Sequence, residues 1–263
     1  MARVIDLTSS VGSNLYFSIA GGQVPGQTLV HKFGNNKAIG TTLEDIWTVG
    51  GTLTHQTTAY PIYAVSTATT DTAAGNGART ITIYGLDSSF NEINETITLA
   101  GTTNSSVTSL SFIRVFRAIV NTVGLYGGSN LGTISIKENN TNTTQAAIPL
   151  VDGRGGGQSQ MSHYTIPAGY KGAIIGMHAS VATSKSVNYS LQIRERADDT
   201  VTPSAWRTLF HIDGLEGSNI VSPPAPLLIP EKTDIRVSAL VSTGSAQGSF
   251  DYQMILTSLG AGS

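Results

Sequence analysis

The chain contains no cysteine, which removes disulfides, thiolate nucleophiles and cysteine-containing zinc sites together. Small secreted domains commonly depend on disulfides, so a cysteine-free chain of 263 residues points to a fold held by core packing. Charge is scarce as well. Charged residues make up 12%, about half the share of an ordinary soluble domain, and Thr, Ser, Asn and Gly take their place. Exposed helices are usually coated with Lys and Glu, so there is too little of either to cover several helices. Hydroxyl and amide side chains suit the solvated faces of strands and the turns between them. The 15 basic residues are scattered and net charge is −2, which argues against a phosphate-binding surface and therefore against nucleic acid as a partner. No run approaches the roughly 18 apolar residues that span a bilayer, so no membrane partner is expected. The opening Met1-Ala-Arg-Val-Ile-Asp-Leu7 lacks a continuous apolar stretch and does not read as a signal peptide. These absences together predict a soluble protein that folds where it is made.

Hydrophobic residues reach 40%, enough for a proper core. Residues 1–26 read as an extended N-terminal arm, punctuated by Gly12, Gly21, Gly22, Pro25 and Gly26, with one apolar patch at Leu15-Tyr-Phe-Ser-Ile19. From about residue 28 a period of two takes over. Arg79-Thr-Ile-Thr-Ile-Tyr84 and Ile93-Asn-Glu-Thr-Ile-Thr-Leu99, joined by a Gly/Asp/Ser turn, predict an antiparallel hairpin. The run 110–120 fits a helical face as well as alternation, and its β-branched and aromatic content tips it to strand. Further strands are predicted at 132–137 and 145–151, and beyond a Gly-rich stretch at 162–166, 172–182, 187–196, 206–212, 233–241 and 249–259. The expected fold class is all-β: two β-sandwich, jelly-roll-like domains at 27–152 and 161–263, joined by a Gly-rich linker at 153–160.

The search for chemistry yields little. His31, His55, His163, His178 and His211 show no metal-ligand spacing, and each is expected at the surface or satisfied in the core. Gly153-Arg-Gly-Gly-Gly-Gln158 is followed by a predicted strand rather than a helix, so it does not read as a phosphate loop. Glu92 and Glu95 have opposite parity in a strand and should not converge as a glycosidase pair. Glu44-Asp45 and Asp198-Asp199 lack calcium-loop spacing, and Asp198-Asp199 suits a turn. Trp47 and Trp206 form no visible stacking platform and are expected in core or interface packing. The chain is therefore expected to be no enzyme, with no catalytic residue, no cofactor-binding residue, no metal ligand and no cofactor.

Three stretches resemble a broad group of tailed-bacteriophage virion proteins found in aquatic phages, including cyanophages. His31-Lys-Phe-Gly-Asn-Asn-Lys37 with Leu43-Glu-Asp-Ile-Trp-Thr-Val-Gly-Gly51 is similar to that group's "HKFG…EDIWdgGG" opening, with Thr48-Val49 in place of the commoner Asp-Gly. Asp71-Thr-Ala-Ala-Gly-Asn-Gly-Ala-Arg79 running on to Gly85-Leu-Asp87, followed by Glu92 to Gly101, resembles its "DtaaGtGARtv.i.GLD…EisEtvtLnG" hairpin. Tyr164-Thr-Ile-Pro-Ala-Gly-Tyr-Lys-Gly172 resembles the "ytiPaGk" strand-turn that opens its distal domain. The resemblance is good over about 31–120 and looser beyond. It implies a virion structural protein, assembled in the host cytoplasm, and carries over no active-site residue. Within that group a capsid decoration (cement) role is expected, the partners being the major capsid protein and copies of the chain itself as a homo-oligomer, a trimer being natural at local threefold axes. The alternatives are a tail or fibre-associated protein holding a host glycan or receptor, with 160–263 as the binding region, and a virion-associated glycan hydrolase.

Overall fold

A computed structural model describes residues 15–151, 156–182 and 185–260. After a short helix α1 (Leu15–Ala20) the elements are strands β1 (Gln27–Ile39), β2 (Glu44–Asp45), β3 (Tyr60–Ser66), β4 (Ala78–Leu86), β5 (Glu92–Thr98), β6 (Ser111–Phe112), β7 (Arg114–Val123), β8 (Ile134–Glu138) and β9 (Thr144–Ile148). Then come β10 (Tyr164–Thr165), β11 (Tyr170–Val181), β12 (Val187–Arg194), β13 (Arg207–Leu215), β14 (Ser218–Val221), β15 (Leu227–Ile229), β16 (Asp234–Val241) and β17 (Ala246–Ser258). The protein is all-β, and its strand pairings are antiparallel. Residues 1–14 of the expected arm lie outside the described residues. Leu15 to Ala20, read from sequence as an apolar patch, forms one helical turn and a half with Ile19 buried.

The strands form two sheet systems. In the first, β6-β3-β8-β9 and β5-β4-β7 share a core of Ile62, Ile81, Ile83, Ile97, Phe112, Val115, Ile134, Ile136 and Ile148. The predicted hairpin is there, with Ile81 opposite Ile97 and Thr82 opposite Thr96. Residues 114–123 are strand, as their β-branched content requires. In the second system, β1-β17-β11-β14 with β15, and β10-β16-β12-β13 with β2, surround Ile174, Tyr189, Leu191, Val237, Phe250, Tyr252 and Met254.

Two details differ from the sequence reading. Strand β1 falls within 27–152, yet it pairs along its length with β17, Gln27 opposite Thr257 and Ile39 opposite Ala246; β2 likewise pairs with β16. Alternation shows that a segment is a strand but carries no information on which distant edge it joins. Second, residues 156–160 of the expected linker are tied down. Ser159 N–H donates to Ala118 O at 2.8 Å and its hydroxyl accepts from Ala118 N–H at 2.9 Å, while Gly157 N–H reaches Asn130 Oδ1 at 3.1 Å. Residues 152–155 of that region lie outside the described residues.

The motif 71–87 owes its residues to structure. Asp71 is fully buried and accepts from Ser66 Oγ (2.6 Å) and from the N–H groups of Ala78, Leu131 and Gly132 (2.9 Å each). One carboxylate thus closes the 71–78 loop and pins the loop entering β8. At Gly85 a Cβ would lie 2.0 Å from Arg114 O, so only glycine lets β4 and β7 approach there. Replacing Asp71 with Asn turns an amide N–H₂ against donors, and an expected loss of about 2 kcal/mol is read as a lower urea midpoint at unchanged slope.

Candidate functional site

The two sheet systems meet at a buried ionic knot. Arg114, near the start of β7, grips Asp234 of β16 with two bonds, Nε to Oδ1 at 2.9 Å and Nη2 to Oδ2 at 3.1 Å. Arg194 of β12 adds Nη2 to Oδ2 at 2.6 Å, and Thr165 Oγ1 donates to Oδ1 at 2.6 Å. The remaining Arg114 donors go to the carbonyls of Gln56, Ile113 and Ala197. Asp234 is wholly buried. Burial alone raises its pKa, but His55, Arg114 and Arg194 more than reverse this and leave the carboxyl far below the ordinary carboxylate range.

A second buried carboxylate, Asp45 of β2, lies opposite Ser238 further along β16. Its Oδ2 accepts from His163 Nε2 at 3.0 Å and Leu53 N–H at 2.9 Å, and its Oδ1 accepts from Ser238 Oγ at 2.9 Å. Burial opposes ionisation, and the His163 hydrogen bond and charge, with Leu53 and Arg236, hold the pKa below its usual value. Trp206 caps the group, with Arg236 at 4.1 Å and Arg194 at 4.9 Å from its ring centroid, geometry suited to cation–π attraction. The His163–Asp45 pair resembles the base-orienting half of a nucleophilic site. Both members are sealed from solvent, and His163 Nδ1 meets no partner, so no hydroxyl is poised for activation.

The sequence expectation that every histidine is exposed or satisfied fails at two positions. His55 and His163 stand 5.9 Å apart, ring to ring, and His55 Nε2 also lacks a partner. Burial drives the His55 pKa down to about 3. The expectation for the tryptophans also needs refinement: Trp47 packs edge-on to His163, while Trp206 collects two arginines and lies 5.9 Å from His55. No local sequence signal joins the rings, because His55 is 108 positions from His163 and 151 from Trp206, and Trp47 is 116 from His163.

The carboxylate pairs do not converge. Glu95 is taken up by Ser109 and the Leu110 N–H, whereas Glu92 accepts from Tyr164 Oη at 3.2 Å. Asp199 organises its own turn through Val201 and Thr202, and Asp198 pairs with Lys232. Among the described residues no group of three or more His, Asp or Glu is placed to hold a metal ion. No helix among them is long and apolar enough to cross a membrane.

A cavity of about 290 Å³ lies between the two systems, lined by Leu29, Val30, Lys32, Glu92, Phe116 and Tyr164 among others. Lys32 Nζ donates to Phe116 O and lies 5.8 Å from that ring's centroid. Burial, and then the charge of Arg117, push its pKa well below the ordinary lysine value. A buried amine with no carboxylate partner among the described residues costs stability in either protonation state, so Lys32→Met is expected to leave the thermal midpoint unchanged or raise it by a few degrees, read by calorimetry.

No family model and no curated protein matches the chain. Among solved structures it is similar to the infectious bursal disease virus VP2 subviral particle, at 11% identity over 89% of this chain and 77% of that chain, with a TM-score of 0.23. It is also similar to the T13 particle of that virus, at 12% identity over 88% and 73%, TM-score 0.23. The vicilin of Solanum melongena follows at 7% identity over 88% and 76%, TM-score 0.13. Structural neighbours thus include viral capsid proteins.

Proposed function

We propose that this chain is a non-enzymatic structural protein of a bacteriophage particle, built of two β-sandwich units, that binds the capsid shell as a decoration protein. The observation that carries this reading is the distribution of exposed apolar side chains over separate parts of one braced body. Phe17 of α1 is 77% exposed and Ile220 of β14 is 79% exposed. Leu125, Tyr126 and Leu131 stand out on one loop, beside Leu150 and Val151 on another, the two loops tied by Asn130 Nδ2 donating to Pro149 O at 2.7 Å. Exposed apolar groups of this kind suit contacts with other proteins. Several weak patches repeated around a symmetric shell give avidity without one tight site. The resemblance of 31–51, 71–101 and 164–172 to phage virion proteins supports the same reading. Its partners would be the major capsid protein and further copies of this chain.

Cryo-electron microscopy of intact particles carrying the protein tests this directly. Density on the outer shell, bridging neighbouring capsid subunits through α1 or the 125–131 loop, is the expected result. Density confined to the tail or fibres would replace the decoration role with host attachment.

A further inference from the structure

The cavity of about 290 Å³ and a further one of about 330 Å³ share Leu29, His31, Lys32 and Arg117 in their walls. Two of these residues are bases without an acid. Arg114, Arg194 and Arg236 each stand against an aspartate. Arg117 instead gives Nη2 to His31 O at 2.6 Å, and Lys32 Nζ goes to Phe116 O. Among the described residues no carboxylate forms an ion pair with either, in a chain with 17 acidic residues against 15 basic ones.

The two bases differ in access. Lys32 is buried, whereas Arg117 is half-buried and hangs from the carbonyl of the exposed His31. Arg117 is therefore the group that a solute can reach, with donors left over from its fork of five. Burial, then the Arg117 charge, depresses the Lys32 pKa, so the two groups are close enough to repel. An anion at Arg117 would turn that repulsion into attraction for both. Side chains kept at a cost to stability are expected where a site needs them.

The rest of the wall selects the anion. Val30, Phe116 and Ile119 offer apolar surface, which suits a hydrocarbon tail, and the volume is near the lower end of small-molecule pockets. Glu92 lines the same cavity, its carboxylate accepting from Tyr164 Oη at 3.2 Å. Its negative charge opposes a second charge on the ligand, which disfavours phosphate and dicarboxylates.

We propose that this cleft binds a small organic monocarboxylate, with its carboxylate on Arg117 and its tail against Phe116 and Ile119. The site is independent of the virion reading and would stand without it.

The test is calorimetric titration and saturation-transfer NMR of the full chain with butyrate, hexanoate and benzoate separately. Hexanol and inorganic phosphate serve as comparison solutes. At least one carboxylate is expected to bind saturably, and hexanol and phosphate at least about tenfold more weakly. Arg117→Gln should weaken carboxylate binding by about tenfold or more, and Arg117→Lys, which keeps the charge and loses the planar fork, by less. Arg79→Gln, at a residue bonded to Gly75 O outside the cleft, should leave it unchanged. Should Arg117→Gln fail to fold, Lys32→Met, whose fold is expected to hold, should weaken binding several-fold. Absence of saturable binding by all three carboxylates would overturn the proposal. So would hexanol or phosphate binding as tightly as the carboxylates. Binding unchanged in Arg117→Gln, or in Lys32→Met where the first variant does not fold, would overturn it as well.

Discussion

Replacing Asp234 with alanine should lower the thermal midpoint by roughly 10 °C, the largest single-site effect expected in this protein. The substitution leaves Arg114 and Arg194 facing each other across a void with their carboxylate gone. Removing one partner of a buried ion pair typically costs about 3–5 kcal/mol, and in a chain of this size each kcal/mol moves the midpoint by about 2–4 °C. The knot joins β7 of one sheet system to β10, β12 and β16 of the other. Loss of the join should therefore also give two calorimetric transitions where the wild type is expected to give one, as the systems melt independently. Asp213→Ala is the control: it removes an exposed carboxylate paired, among the described residues, with His211, and the midpoint should not move. An Asp234→Ala midpoint as close to wild type as the control's would show that the knot is solvated and contributes nothing.

The second large effect is on acid stability. A histidine kept neutral by burial takes up its proton more readily in the unfolded chain, so His55 contributes stability that is complete above the unfolded value of about 6.5. That contribution declines as pH falls toward the folded value of about 3. The expected slope approaches one proton, about 1.4 kcal/mol per pH unit. Asp234 and Asp45 act in the same direction in a lower window. Their folded pKa values are depressed, so their stabilisation is present above the unfolded carboxylate value of about 4 and is lost as pH falls below it. His55→Gln should flatten the urea-midpoint profile between about pH 6.5 and 4 and leave the steeper fall below it. A profile for His55→Gln that parallels wild type throughout would assign the acid sensitivity to other groups.

Much of this could be read from the chain in one dimension. Alternation at 79–84 and 93–99 dictated a hairpin, because residues of one parity must share a face whatever lies beyond. The shortage of Lys and Glu ruled out a helical exterior, and the opposite parity of Glu92 and Glu95 kept them from one site. The structure agrees on each point. Loop chemistry was partly legible as well: Asp71 and Gly85 stand where a buried acceptor and a missing Cβ are required, and their motif was visible without its reason.

Pairing across long separations was not legible. Strand β1 alternates in the same way whether it joins β3 or β17, so only the competition among edges for a partner, settled when the whole core closes, sends it to β17. The ionic knot is hidden for the same cause. Asp234 and Arg114 are 120 positions apart, and Asp45 and His163 are 118 apart, and a single carboxylate in a strand looks like any other until its partner arrives. Lys32 and Arg117 carry no shared spacing either. Local periodicity and turn chemistry act over a few residues and therefore lie in the sequence itself. Burial and unmatched charge are properties of the assembled interior, and only the tertiary structure, by excluding water there, gave these side chains their roles.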